Sequence, residues 1–591
     1  MIEEQVAGNK FVGLDAEPIN GALNSYRVLS ERDAERARSG GKRRPDASFA
    51  EKSEELLAFA EQACAKEPTL SPDSKSYSMV VDAYAKIGEP QRAEAVLMRL
   101  EKLWKSGIEK VKPNTIVYGA VLDAWAKSGK REAPNRAEAI LQHMEQLNQQ
   151  GHEGVRPDVI CYSAVINAWA KSREKVAAQK AEAILNHMVK LHDEGRQECR
   201  PNTICYNSVI DAWARSRDAG APQRAEELLE KMEELYRQGN QDVCPNTISY
   251  SAVINAWAKS RGKGAAQKAE AILNHMLKLQ ESGREECRAN TICFNAAIDA
   301  WARSRDADAP QRAEALLEKM EELYRRGIED SRPNTISYNA VINAWAKSRE
   351  KGAAQRAEAI LHHMLKLQEG GREESRPDST SFNSVIDAWS KSRDKNAYAH
   401  AQEIFQQMQS MGNAVKPSAL TYTSLINALS VSSVPDKATK AFDILLEMEN
   451  MAHKGNEAVA PTTITYGAVM KACAKTSGNH EAKRKALRVA LEAFDKIRKP
   501  PKLSASPMLY DSLFITIAIS SRGSEYAKLV TQVFKFCCED GALDNYLLRH
   551  LRRNSPREVF EKMIGHHAYG GGDVSVADLP AEWSRNEKMR R

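Results

Sequence analysis

Seven tryptophans, Trp125, Trp169, Trp213, Trp257, Trp301, Trp345 and Trp389, stand 44 residues apart every time. A fixed period of this size is the mark of a solenoid, in which one small unit recurs and buries its apolar face only against its neighbours. Each Trp closes the same phrase, Thr335-Ile-Ser-Tyr-Asn-Ala-Val-Ile-Asn-Ala-Trp-Ala-Lys-Ser-Arg349 in one copy, and the phrase continues in weaker form around Tyr84, Leu429, Cys473 and Ile517. Ten units result, running 74–114, 115–158, 159–202, 203–246, 247–290, 291–334, 335–378, 379–418, 419–462 and 463–506, with a degenerate eleventh over 507–545. Residues 1–48 read as a disordered segment, basic toward its end, 49–73 as an N-terminal capping helix, and 546–591 as a C-terminal cap and tail.

The unit 335–378 shows what repeats. Tyr338, Val341, Ile342 and Trp345 fall at i, i+3, i+4 and i+7, the apolar stripe of an amphipathic helix. This helix A starts after Pro333 with Asn334 or Thr335 as N-cap, and Lys347 and Arg349 suit its C-terminal end. Beyond Gly352, the residues Ala357, Ile360, Leu361, Met364 and Leu367 form the stripe of helix B, which stops at Gly370-Gly371. The fold class is therefore all-α, an α-solenoid of stacked antiparallel helix pairs. A second period of 88 overlies the first. Units 159–202, 247–290 and 335–378 share an Ala-Glu-Ala-Ile-Leu-x-His-Met ending and the intervening two share Leu-Leu-Glu-Lys-Met-Glu-Glu-Leu-Tyr, as duplication of a two-unit block would leave.

Composition narrows the classes. With 42% apolar and 28% charged residues the chain is a folded protein, and its longest apolar run, Leu513 to Ile519, is far below the roughly twenty residues of a membrane span, so no membrane partner is expected. The ten cysteines include no Cys-x-x-Cys pair, so no metal is expected; Cys161, Cys205 and Cys293 each precede an aromatic residue and read as buried packing residues of a protein in a reducing compartment. His187, His275 and His363 alternate with Lys231 and Lys319 and read as solvent-facing. The Gly570-Gly571-Gly572 run lacks the Lys-Ser/Thr of a phosphate loop, the region after the array lacks the His-x-Glu and Cys-x-x-Cys of a zinc deaminase, and its His566-His567 suggests no chemistry. No catalytic residue and no cofactor are expected. Residues 1–20 carry Glu3, Glu4, Asp15 and Glu17 against one Lys10, unlike an acid-poor transit peptide.

Periodicity alone leaves a tetratricopeptide scaffold open. The phrase Pro-(Asn/Asp)-x-x-x-Tyr-(Asn/Ser)-x-x-Ile-x-Ala, carried by Pro157-Asp158…Tyr162-Ser163, Pro201-Asn202…Tyr206-Asn207, Pro333-Asn334…Tyr338-Asn339 and, with drift, Pro417-Ser418…Tyr422-Thr423, resembles instead the pentatricopeptide repeat (PPR), whose unit is 35 residues rather than 44. Alignment places three extra residues between helices A and B and six after helix B, both in connections, where added length is tolerated.

The resemblance implies a right-handed superhelix that binds single-stranded RNA, one base per repeat. The family reads each base with the residue after the helix-A aromatic and the residue closing the same repeat. Carried over, the pairs are Ser78/Asn114, Gly119/Asp158, Ser163/Asn202, Asn207/Asn246, Ser251/Asn290, Asn295/Asn334, Asn339/Asp378, Asn383/Ser418 and Thr423/Thr462. By the family's code, Ser with Asn implies adenine, Asn with Asn a pyrimidine, Asn with Asp uracil and Asn with Ser cytosine. The Gly119, Thr423 and Gly467 repeats depart from that code.

The residue two before the aromatic is aliphatic in most units, at Ile116, Ile160, Ile204, Ile248, Ile292, Ile336, Leu420 and Ile464, a row that could sandwich bases. A cation ends most A helices, at Lys86, Lys127, Lys171, Arg215, Lys259, Arg303, Lys347, Lys391 and Lys475, and could contact phosphates. Three functions stay open: a monomeric, sequence-specific RNA binder in RNA processing, stability or translation, in the mitochondrion or chloroplast if it follows the family; a protein-interaction scaffold without RNA; and the RNA-targeting subunit of a nuclease or editing complex, with a nuclease or other RNA-processing protein as partner.

Overall fold

The computed structural model describes residues 16–39, 46–64, 71–260, 262–412, 415–499, 505–565 and 574–586. Among them are 26 α-helices and no strand, so the protein is an all-α solenoid. The chain forms two compact units, Met1–Ala300 and Trp301–Arg591. In each, helix pairs follow one another in chain order, helix A packing on its own helix B and on the next helix A.

Local chemistry sets the helix limits. Helix A of the unit 335–378 runs Thr335–Lys347, and Asn334 caps it by accepting the amides of Ile336 and Ser337 at 3.1 and 3.2 Å. Helix B, Ala353–Glu369, is followed by Gly371 at φ 87°. The equivalent Gly107, Gly151, Gly195, Gly239, Gly283, Gly327 and Gly455 also lie at φ between 89° and 101°, where only Gly turns the chain without strain. The long connection that follows is ordered by a 3-10 turn, Glu373–Ser375 here, whose last residue is buried. Val111, Val155, Cys199, Val243, Cys287, Ser331 and Val459 repeat this plug. The surplus over a 35-residue repeat is thus partly a small packed element, beyond what the apolar periodicity reveals.

The tryptophan row is the seam between repeats. All seven side chains are between 0 and 7% exposed. In both units the indole Nε1 donates to a glutamate of the preceding helix B: Trp125 to Glu94 (2.9 Å), Trp169 to Glu138 (3.1 Å), Trp213 to Glu182 (2.9 Å), Trp257 to Glu226 (3.1 Å), Trp345 to Glu314 (3.0 Å) and Trp389 to Glu358 (2.9 Å). The same carboxylates receive a cation from the next helix B, as Lys180 to Glu138 (3.0 Å), Arg224 to Glu182 (2.8 Å) and Lys268 to Glu226 (3.1 Å). One buried acid therefore ties three helices together. A second tie joins the helix-A tyrosine to another glutamate of the preceding helix B, as Tyr338 to Glu321 (2.7 Å) and Tyr466 to Glu449 (2.7 Å). His187 and His363 meet these glutamates, at Glu145 (3.0 Å) and Glu321 (2.9 Å), so they are inter-repeat partners and not merely solvent-facing.

Both ends differ from the sequence reading. Residues 16–39, expected to be disordered, form the helix Ala16–Ser39, which packs on Ser74–Ile87 in the place of a helix A, with Ser48–Cys64 as its helix B. Ile19, buried, takes the tyrosine place, and Tyr26 falls where the tryptophan would. Arg27–Asp82 (3.1 Å) and Lys86–Glu31 (3.0 Å) join this pair to the array. The helix Ser48–Cys64, expected to be a lone cap, is thus half of an additional repeat, and 65–70 lie outside the described residues. At the other end, Pro507–Ser520 with Gly523–Glu539 and Asn545–Asn554 with Arg557–Ile564 make two further pairs. Residues 574–586 fold back on Gly523–Glu539, with Trp583 edge-on to Phe534 and Asn586 Nδ2 on Asp540 O at 2.7 Å. His566, His567 and Gly570 to Gly572 lie outside the described residues, as do 1–15 and 40–45 of the N-terminal segment. No helix among the described residues is long and apolar enough to cross a membrane.

Because each seam joins only adjacent repeats, damage should stay local. Trp257→Ala should destabilise by roughly 3–5 kcal/mol, with faster amide exchange confined to about 203–290. Glu226→Ala, which leaves the indole N–H unpaired, should cost about 1–3 kcal/mol, and Glu226→Gln less. Exchange that rises evenly along the chain would contradict the seam.

Candidate nucleic-acid interface

The mouth of each helix A gathers three kinds of side chain. At the second helical position stands the aliphatic row. Ile116, Ile160, Ile204, Ile248 and Ile292 in one unit, and Ile336, Leu420 and Ile464 in the other, are 62 to 73% exposed. Five of their amides donate to the N-cap side chain, those of Ile160, Ile204, Ile248, Ile292 and Ile336, each at 3.1 Å, while the apolar chains stand in water. They are not core between repeats. Met508, two before Tyr510, is exposed in the same way and escaped the sequence reading because its unit lacks the phrase. Lys75 and Thr380 occupy the position elsewhere.

Beside each aliphatic lies the polar pair. The N-caps Asn114, Asp158, Asn202, Asn246, Asn334, Asp378 and Thr462 each use one side-chain oxygen on the first-turn amides, and Ser418 caps through its hydroxyl. Asn290 does the same for Ile292 and Cys293 at 3.1 Å. The residues after the aromatic are half-buried at Ser78, Ser163, Asn207, Ser251, Asn295, Asn339 and Asn383. Within a repeat the two meet directly where both are long enough, Asn207 Nδ2 donating to Asn246 Oδ1 (3.2 Å) and Asn339 Nδ2 to Asp378 Oδ1 (3.0 Å). Three positions fit poorly, Gly467 among them for want of a side chain. Gly119 is buried and without a side chain, and Thr423 is buried with its hydroxyl turned to Ala419 O (2.6 Å) and Thr465 (2.9 Å).

Two features align successive mouths. The first residue of helix A reaches the chain just before the next N-cap, as Thr115 Oγ1 to Arg156 O (2.8 Å), Thr203 to Cys244 O (2.9 Å), Thr247 to Arg288 O (2.7 Å) and Thr335 to Arg376 O (2.7 Å). The third residue, Cys161, Cys205, Cys293, Val117, Leu509 or a Ser or Thr, is buried. Burial pushes the Cys205 and Cys293 thiols up to about 11 and Cys161 higher still. The N-terminal pair carries the same construction: Asn20 Nδ2 faces Asp73 Oδ1 at 3.5 Å, and Ser76 Oγ donates to Asn20 Oδ1 at 2.7 Å. The degraded phrase around Ile19 hid this position in the sequence.

The cations at the helix-A ends are exposed at Lys127, Lys171, Arg215, Lys259, Arg303, Lys347, Lys391 and Lys475, but most already have partners. Lys127, Arg215 and Lys391 pair with Asp123 (2.6 Å), Asp211 (2.8 Å) and Asp387 (2.5 Å) one turn back. Lys171 and Lys347 reach the last carbonyls of the preceding helix A, at Ala126 O (3.4 Å) and Ala302 O (3.2 Å), and Lys86 is held by Glu31. Any phosphate would compete with these contacts. The sequence row of cations is therefore a weaker field than its count suggests.

Models of known families match much of this array. The pentatricopeptide repeat domain matches residues 105–172, 139–215, 189–260 and 404–476, and the PPR repeat matches 75–103. Comparison with curated proteins finds no match. Among solved structures, that of yeast Rmd9p in complex with a 16-nucleotide target RNA is similar at 14% identity, with a TM-score of 0.31, over 90% of this chain and 92% of that one.

The exposed row leads to a stability test. Ile204→Ala with Ile248→Ala should shift unfolding by no more than about 0.5 kcal/mol per site, whereas core positions would cost roughly 2–5 kcal/mol each. A large loss in the melting temperature would return the row to the core.

Proposed function

The chain belongs to the pentatricopeptide repeat proteins, and from that premise we propose that it binds single-stranded RNA in a sequence-specific manner, one base per repeat. The observation that carries the proposal is the row of exposed aliphatics, most of them beside a polar pair at the mouth of the helix. Isolated apolar side chains on a surface need no explanation; one in the same place in repeat after repeat does. An unstacked base offers what such a place lacks, a flat apolar face for the aliphatics and a hydrogen-bonding edge for the pair. The aliphatics hold any base, and the pair chooses among them.

With the family's code, Asn339/Asp378 selects uracil, Asn383/Ser418 cytosine, and Ser163/Asn202 and Ser251/Asn290 adenine. Asn20 with Asp73 adds a uracil position before that of Ser78/Asn114. The protein acts by holding a transcript, in processing, stability or translation, with the organelle inferred from the family resemblance alone. In this reading chemistry on the RNA falls to a partner, a nuclease or other RNA-processing protein.

Selection from a random single-stranded RNA pool tests the proposal. Enrichment should follow the order of the pairs, and binding should weaken as salt rises. Asn339→Ser with Asp378→Asn should change uracil to adenine at that repeat, with discrimination on the order of 1–3 kcal/mol. Lys259→Glu should lower affinity for all sequences alike. A chain that enriches no motif would favour the protein-scaffold reading.

A further inference from the structure

The third residue of each helix A lies beneath the base-facing residue of the repeat before it. Ser249 Oγ donates to Asn207 Oδ1, Ser381 Oγ to Asn339 Oδ1 and Thr421 Oγ1 to Asn383 Oδ1, all at 2.6 Å, and Ser76 does the same to Asn20. Each hydroxyl also accepts the N-cap amide, from Asn246 (3.1 Å), Asp378 (3.0 Å), Ser418 (2.9 Å) and Asp73 (3.1 Å). All four are buried, and each lies nearer the asparagine oxygen than the oxygen of its own N-cap side chain, which stands 3.0 to 3.4 Å away. The far side of the amide is fixed too. Asp378 can only accept, so the atom of Asn339 that faces it is the nitrogen, and the oxygen must face Ser381. Asn246 Oδ1 does the same for Asn207, being held toward its helix by the amides of Ile248 and Ser249. The amide therefore presents one N–H and one lone pair outward in a set order.

The sequence pairs these positions with one exception, Thr423, which is not an asparagine yet is answered by the hydroxyl of Thr465 at 2.9 Å. Asn20, Asn207, Asn295, Asn339 and Asn383 are answered in the next helix A by Ser76, Ser249, Ser337, Ser381 and Thr421. Ser78, Gly119, Ser163, Ser251 and Gly467 are answered by Val117, Cys161, Cys205, Cys293 and Leu509, none of which has a hydroxyl. The serines have a reason not to need one. Ser78, Ser163 and Ser251 spend their protons on their own helices, at Lys75 O (2.8 Å), Ile160 O (2.9 Å) and Ile248 O (3.0 Å).

Shared ancestry does not account for the pairing. Against the 88-residue duplication, Ser251 corresponds to Asn339 and Cys293 to Ser381. Two residues in different repeats changed together. We infer that the third residue of helix A is the third member of the base-reading site before it, a positioning residue whose hydroxyl sets the direction of the asparagine amide and so the base selected. The inference rests on the RNA reading proposed above.

The test uses the full chain and competing single-stranded RNAs that differ only at the base facing the repeat 247–290. Cys293→Ser alone should leave the preference of Ser251 unchanged, and Ser251→Asn alone should blur it. Both together should restore discrimination, sharper than the single asparagine variant by about fivefold, the worth of one ordinary hydrogen bond. At the next unit, Thr421→Val should blur selection of the base facing Asn383 by about the same factor, while Thr421→Ser should keep it. Folding losses would lower affinity for all four bases and leave these ratios unmoved. If Ser251→Asn alone selects as sharply as the double variant, or Thr421→Val keeps its discrimination, the third residue is only a helix cap and the inference falls. If the unaltered chain shows no base preference, the RNA reading itself falls, and this inference with it.

Discussion

The array depends on a carboxylate that should be costly to bury. Glu182 sits almost wholly inside the protein, where an unpaired charge would lose several kcal/mol of hydration. It is retained because Trp213 Nε1 and the Arg224 guanidinium both donate to it, from two helices of the following repeat. An indole buried at this depth needs an acceptor, and a buried acid needs donors. Each satisfies the other only when the next repeat is docked in one place. Apolar stripes would let helices slide over one another; this pairing fixes rotation and height.

From that fixed seam the mouths of the A helices inherit their spacing. The Trp lies near one end of the 13-residue helix A and the N-cap at the other, so docking one end sets the position of the other. Thr335 on Arg376 O and its equivalents then tie each mouth to the next. The long connections would otherwise leave the N-caps loosely held, and their 3-10 turns prevent it by burying one residue each, through Cys287 Sγ on Pro245 O or Ser375 Oγ on Pro333 O, both 3.2 Å. Extra chain has been turned into packing.

Much of this was legible in the sequence, and the reasons for what was not are specific. The Trp period, the Tyr stripe and the Pro-Asn caps report strong local preferences that recur, so the fold and the layout of the helix mouths both follow from them. The N-terminal pair escaped because Ile19 and Tyr26 satisfy the same volumes with different residues, and periodicity sees only identity. The cations read as a stripe because sequence shows their sign and not their partners: Asp123, Asp211 and Asp387, one turn earlier, are what neutralise them. The aliphatic row could be core or surface from spacing alone, and only its exposure decides. The coupling of Asn339 to Ser381 crosses from one repeat to the next, where a reading that treats each unit separately does not look.

The cysteines beneath the mouths carry one more consequence. Burial pushes the thiols of Cys205 and Cys293 up to about 11 and that of Cys161 higher still, so all three stay protonated at neutral pH. Alkylation and disulfide exchange both need the thiolate, and burial denies reagents access to it. Peroxide or oxidised glutathione should therefore leave these sulfurs untouched while the protein stays folded. Sulfurs set one layer below a polar surface are thus shielded twice, by burial and by their retained protons.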